Sequence, residues 1–246
     1  MATYNGEQFI REQIDSILLQ LGENDELVIS DDQSRDKTLE IIQSYNDKRI
    51  KFFTHERAGR PTENFQNALN HAKGDYIFLS DQDDVWLPGK YDKMLALLSS
   101  YDLVLSDSIL VDEDLKVIKP SFFKFHGSAT GIARNVIKNS YFGSCMAFKR
   151  YLLDFALPFP PSREIGHDVW IGLIGEIVGK VFLIDEPLIM YRRHASAVTP
   201  HGIGKSKRSL YKKLMGRVIM FKYVYLFYFK YLINGKRISV HSNGNV

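Results

Sequence analysis

Tyr76-Ile77-Phe78-Leu79-Ser80-Asp81-Gln82-Asp83-Asp84-Val85-Trp86 is the stretch that decides the reading of this chain. An apolar run ends abruptly in carboxylates at alternate positions. A short β-favouring segment ending this way is a strand whose exit carries a polar loop. While the chain stays extended, Asp81 and Asp83 point to the same side and can share one task. Hard carboxylate oxygens suit Mg²⁺ or Mn²⁺, which keep positions open for phosphate oxygens; alternatively, the segment is an acidic turn with Asp84 capping the next helix.

Working outward, the same cycle recurs on the N-terminal side. Phe9, Ile10, Ile14, Ile17, Leu18 and Leu21 have helical spacing, Leu27 to Ser30 reads as a strand, and Asp31-Asp32 follow at its exit. A helix near Lys37 to Tyr45 leads to the strand Ile50 to Thr54, and a helix near Thr62 to Lys73 leads into the quoted stretch. Helix and strand alternating at this period predict an α/β fold, a mostly parallel sheet flanked by helices, with ligands at the C-terminal ends of the strands. Beyond Leu98 the pattern loosens: short strands are expected at Leu103 to Ser106, Ser108 to Val111 and Phe142 to Phe148, a helix from about Asp168, and one long helix from Ser206 to Ile233.

Composition sets limits. The 246 residues can bury one sizeable core. The single cysteine, Cys145, excludes an internal disulfide and a thiolate zinc site and fits a reducing cytoplasm. The N-terminus has no signal-peptide pattern. The net charge of +3 is split: all 29 acidic residues precede His194, giving the first 194 residues −7, while the remainder carries ten Lys and Arg. An acidic body suits a cation, and a basic tail suits an anionic surface.

The quoted stretch stands in an ordered set with Thr3-Tyr4-Asn5-Gly6-Glu7, Ser30-Asp31-Asp32-Gln33-Ser34-Arg35-Asp36, and Asn64-Phe65-Gln66-Asn67-Ala68 with Gly74-Asp75-Tyr76. The set resembles the family 2 inverting glycosyltransferases of the GT-A type, over about the first four-fifths of the chain. Its DQDDVW form is most similar to rhamnosyltransferase-like members. The resemblance implies transfer of a sugar from a nucleoside-diphosphate sugar to a hydroxyl acceptor, a saccharide or lipid-linked saccharide, with Mn²⁺ or Mg²⁺ as cofactor.

The resemblance also implies roles. Thr3, Tyr4, Asn5 and Glu7 fall on the nucleotide loop, where Tyr4 could stack on the base, and Asp32 falls where the base is hydrogen-bonded. Arg57 and Arg60 lie in a loop that could reach the diphosphate. Asp81 is expected at the donor's sugar or ribose, and Asp83 at the metal, with His194 of Tyr191-Arg192-Arg193-His194 as a second metal ligand. Gly166-His167-Asp168-Val169-Trp170 is similar to the family's base motif, with His167 standing where the motif has Glu. It makes Asp168 the general base, or else an N-cap of the next helix. Gly143, His167 and Trp170 are expected on the acceptor side.

The domains expected are a catalytic unit over 1–199, whose apolar first strand is missing or truncated, a basic amphipathic membrane-associating tail over 200–238, and a polar end over 239–246. The anticipated setting is cytoplasmic, peripheral on the inner face of an anionic membrane, with a possible homodimer and no nucleic-acid partner. Two rivals remain open: a nucleotidyltransferase-like enzyme, for which the expected Gly- and Lys-rich phosphate loop is missing, and a catalytically silent sugar- or membrane-binding protein of the same fold.

Overall fold

A computed structural model of the protein describes residues 1–55, 59–194 and 209–234. Arg57, the Lys205, Lys207 and Arg208 cluster and the end from 239 to 246 therefore lie outside the described residues.

The first layer follows the expected alternation: β1 (Ala2–Thr3), α1 (Ile10–Leu18), β2 (Leu27–Asp31), α2 (Thr38–Gln43) and β3 (Ile50–Thr54). Strands β1, β2 and β3 form a parallel sheet in that order, with Thr3 opposite Asp31 and Asp31 opposite Thr54. Every residue of β2 is buried, which is why it reads as a continuous apolar run without alternation. Helix α1 turns Ile10, Ile14 and Ile17 inward, at spacings of four and three that place them on one face. Each such side chain contributes roughly 1.5–3 kcal/mol when removed from water.

The second half comprises α3 (Pro61–His71), β4 (Tyr76–Phe78), β5 (Val85–Trp86), α4 (Lys90–Leu98), β6 (Leu103–Val111), β7 (Val117–Lys119), α5 (Phe122–His126), α6 (Ile132–Ile137), β8 (Met146–Lys149), α7 (Leu153–Ala156), α8 (His167–Val178), β9 (Val181–Arg192) and α9 (Leu210–Asn234). Its sheet runs β4-β8-β6-β9-β5, with β7 on the flank of β6. Only β6 and β9 pair in parallel; β4, β5, β7 and β8 pair antiparallel. The sheet is thus more mixed than the alternation predicts, because β8 and β9 come from the irregular half of the chain and insert beside strands of the regular half.

Three expected boundaries move. The two strands expected at 103–111 are one strand, β6, buried along nearly its whole length. The strand expected from Phe142 begins at Met146, preceded by a 3₁₀ turn over Gly143–Cys145. Strand β9 extends over twelve residues, and Pro187 in it coincides with register shifts against β6.

The first strand is not wholly absent. Ala2 and Thr3 pair with β2, and the Met1 ammonium, 2.7 Å from the Val28 carbonyl, sits buried beside it. Burial lowers that amine's pKa to about 5. A cleft of about 750 Å³ is lined by residues that include Met1, Leu27 and Val28 on one side and Tyr76, Ile77 and Phe78 on the other.

Candidate active site

The loops at the strand exits are joined first by side chains. Asp31 is buried and fully engaged: its carboxylate accepts from Thr3 Oγ1 at 2.8 Å, Ser34 N at 2.8 Å and Ser34 Oγ at 2.6 Å. Asn5, at φ +47°, donates its N–H to Ser34 Oγ and accepts from Arg35 N, while Glu7 accepts from Lys37 N at the start of α2. Thr3, Asn5 and Glu7 therefore hold the loops after β1 and β2 in shape. Tyr4 is different: its backbone is clamped by the side-chain amide of Gln82, whose Oε1 accepts from Tyr4 N at 2.8 Å and whose Nε2 donates to the Tyr4 carbonyl at 2.9 Å, while the residue is 49% exposed. A Cβ at Gly6 would meet Gln82 Oε1 at 2.4 Å, so only glycine allows this clamp.

Asp32 is 5% exposed; Oδ2 accepts from Gly59 N at 2.7 Å, while buried Oδ1 lacks a hydrogen bond among the described residues and lies 3.5 Å from His55 Nδ1. A buried carboxylate oxygen short of a donor is suited to an N–H from a ligand. Arg60 behaves otherwise than the sequence suggests: its guanidinium is taken up by Glu63 at 3.0 Å and the Ser162 carbonyl at 3.1 Å, tying α3 to the loop before α8.

At the exit of β4 the carboxylates are crowded. Asp81 accepts from Ser144 Oγ at 2.7 Å, and burial, reinforced by the charge of Asp83, raises its pKa to about 6. Asp84 does not cap a helix. It is buried with Oδ1 accepting from Arg192 N at 2.9 Å, and burial together with Asp83 and Asp81 pushes its pKa well above the usual carboxylate range. Asp83 Oδ2 lies 2.8 Å from His194 Nε2, so residues 111 positions apart in sequence meet here. Among the described residues no three His, Cys, Asp or Glu side chains form a ready-made metal cage.

Asp168 is brought to the same region by Gly143. A Cβ there would lie 3.1 Å from His167 Nε2, 3.7 Å from Asp168 Cβ and 3.9 Å from Leu79 Cδ1, so the missing side chain lets the start of α8 approach the exit of β4. Asp168 is in the first turn of α8, and the N-cap is Gly166. Its Oδ1 accepts from Val169 N at 2.7 Å, and burial raises its pKa to about 6. His167 stacks on Phe65 at 3.8 Å; burial lowers its pKa to about 4, and buried Nε2 has no hydrogen-bond partner among the described residues. Trp170, expected on the acceptor side, is a core residue: it is 5% exposed and its Nε1 donates to the Ala156 carbonyl at 3.0 Å. Helical spacing turns it inward while Asp168 stays at the helix end.

Several organising residues escape a reading by motif. Arg192, 4% exposed, donates Nε to the Asp83 carbonyl at 2.7 Å, pairs with Glu12 and lies over the Phe9 ring. Lys90 is fully buried, donates Nζ to the Ser144 carbonyl at 2.6 Å and thereby supports the hydroxyl that holds Asp81. Burial lowers its pKa to about 8. Its register supplied the signal, since Lys90, Met94 and Leu98 lie at i, i+4 and i+8 and all three are buried.

Comparison with known proteins gives the family and the fold. Residues 1–155 match glycosyl transferase family 2, and the chain belongs to that family. It is 31% identical over 185 residues to the Escherichia coli UDP-Glc:alpha-D-GlcNAc-diphosphoundecaprenol beta-1,3-glucosyltransferase WfgD, covering 71% of this chain and 68% of that one. It is 36% identical over 119 residues to the putative glycosyltransferase EpsE of Bacillus subtilis, covering 46% of this chain and only 43% of the relative. Among solved structures, S. aureus TarS in complex with UDP-GlcNAc superposes with a TM-score of 0.69 at 19% identity, covering 98% of this chain and 75% of that one. The mannosyltransferase PcManGT from Pyrobaculum calidifontis, in complex with GDP-Man and Mn²⁺, has a TM-score of 0.59 at 18% identity, covering 80% of this chain and 56% of that one. These likenesses give the fold: a GT-A α/β domain with a helix at its C-terminal side.

Proposed function

We propose that the protein is an inverting, divalent-metal-assisted glycosyltransferase that moves a hexosyl residue, with rhamnosyl the first donor to test, from a nucleoside-diphosphate sugar to a hydroxyl of a lipid-linked or cell-surface polysaccharide precursor at the inner face of a membrane. The observation that carries the reading is the crowding of Asp81, Asp83 and Asp84 at the exit of β4, with Asp168 brought alongside across Gly143. Burial, reinforced by the charge of Asp83, raises the pKa values of Asp81 and Asp84, which marks a site short of positive charge.

The donor set fits a divalent cation: Asp83 and His194, already 2.8 Å apart, would hold it. When bound, such an ion offsets negative charge on the leaving diphosphate. Tyr4 is exposed where it can cover the base, and Asp32 Oδ1, buried without a hydrogen bond among the described residues, can accept from a base N–H. Asp168 accepts the proton of the acceptor hydroxyl as its oxygen bonds to the anomeric carbon; the anomeric C–O bond breaks on the opposite face and its electron pair leaves with the nucleoside diphosphate. At neutral pH a carboxyl with a pKa of about 6 is mostly ionised and more basic than an ordinary aspartate, as this step needs. The glucosyl transfer to a diphosphoundecaprenol-linked acceptor named for WfgD supports the choice of acceptor class.

The test is calorimetric titration of UDP, GDP and dTDP with and without Mn²⁺, on the wild-type chain and on Asp83→Ala. One nucleotide is expected to bind in a metal-dependent way and to lose that dependence in the variant. Unchanged affinity in the variant removes Asp83 as a ligand, and no metal-dependent binding of any nucleotide refutes the donor reading.

A further inference from the structure

Helix α9 has two apolar faces, and the described body of the protein covers one of them. The covered face carries Gly216, Met220, Val224, Phe227 and Tyr231, with Phe227 edge-on to Trp170 at 6.0 Å and Tyr231 to Phe155 at 6.0 Å. The opposite face carries Leu214, Val218, Phe221, Tyr225, Phe229 and Leu232, each more than half exposed. Their spacing of three and four makes a continuous stripe along a helix of 25 residues, about 37 Å long. Phe221, Tyr225 and Phe229 stack in a row, 6.4 and 6.3 Å between centroids.

The charges around the stripe decide what covers it. Arg217, Lys222 and Lys230 lie on α9 within the length of the stripe, and the helix has no Asp or Glu. A second copy of α9 against the stripe would set cation against cation without an acid to pair them, and would bury the hydroxyl of Tyr225. An anionic lipid surface meets both demands: its headgroups pair the cations, lysine stems lie along the apolar boundary, and tyrosine rings sit where headgroup meets acyl chain. None of the described helices is long and apolar enough to cross a membrane, so α9 would lie in the interface plane.

We infer that the outward face of α9 is a docking surface for an anionic lipid membrane. Its placement gives the docking a purpose that rests on the transferase reading above: Phe227 touches Trp170, one short step along α8 from Asp168, so the helix on the membrane is also the helix that packs behind the base. A lipid-linked acceptor would then reach the base by diffusion in two dimensions.

The experiment is co-sedimentation of the full chain with phosphatidylglycerol/phosphatidylcholine vesicles and with pure phosphatidylcholine vesicles, at low and high salt, without donor or acceptor. Binding to the anionic vesicles is expected to exceed binding to the neutral ones by at least about tenfold and to fall in salt, each engaged cation contributing about fivefold. The double variant Phe221→Glu/Tyr225→Glu alters only exposed positions and should lose binding at least about tenfold while keeping its melting temperature. Equal binding to both vesicle types overturns the inference, as does unchanged binding by the variant. A lipid-free dimer that the variant converts to monomer, with no vesicle binding by either chain, assigns the stripe to a second copy instead. Nucleotide affinity enters none of these readouts, so this inference and the transferase reading can fail separately.

Discussion

Replacing Asp168 with Asn keeps the side chain's shape and its hydrogen bond from Val169 N while removing a charge that the fold holds at a cost. Burial raises the carboxyl from an ordinary 3.8 to about 6. Ionising it in the folded state therefore costs at most on the order of 3 kcal/mol, and about 1–3 kcal/mol after allowing for the water that still reaches it. Against this, the first-turn position in α8 favours a negative charge by about 0.3–1 kcal/mol, too little to reverse the balance. Asp168→Asn is expected to melt roughly 3–10 °C above the wild type at pH 7.5 in chelator. The sign follows from the raised pKa: the wild type carries the full penalty above about pH 6 and loses it as pH falls towards 3.8, so the gain should shrink at pH 4.5. In the same variant the amide cannot accept a proton, so kcat is expected to fall by about 10²–10⁴ with nucleotide affinity unchanged. Scanning calorimetry at the two pH values and a transfer assay test both halves. A variant no more stable than wild type at pH 7.5, or equally stabilised at both pH values, refutes the burial argument; near-normal turnover refutes the base.

Two further outcomes follow from packing. An apolar strand of about four residues placed before Met1 should enter the cleft between β2 and β4, pair with strand edges there and raise the melting temperature by several degrees, and no gain would show that the cleft does not accept a strand. Gly172→Ala would bring a Cβ within 2.2 Å of the Tyr141 ring in the core; the clash, about 1–3 kcal/mol, should exceed the ~1 kcal/mol that alanine gains in a helix, and urea unfolding with no loss of stability would contradict it.

Where the signal was periodic and local, the sequence was enough. Ile10, Ile14 and Ile17 define α1 by spacing alone, and the carboxylates after Phe78 mark a strand exit because charge cannot continue into a buried strand. The ordered loop motifs likewise identified the family. What needed the tertiary structure were relations between distant residues. Asp83 and His194 stand 2.8 Å apart only because β9, whose last residue Arg192 is anchored on Asp83 and Asp84, ends beside the exit of β4. The same holds for Gln82 on Tyr4 and for Lys90 beneath Ser144, since a lysine's sequence neighbours do not reveal that its ammonium will find a buried carbonyl. The partners of Trp170 and Arg60 needed the structure for the converse reason: a motif fixes a position along the chain, whereas the direction of a side chain is set by what packs around it. Residue type and period thus determined the elements and the chemistry available at their ends, and the sheet order, with β8 and β9 inserted from the irregular half, decided which of those ends would meet.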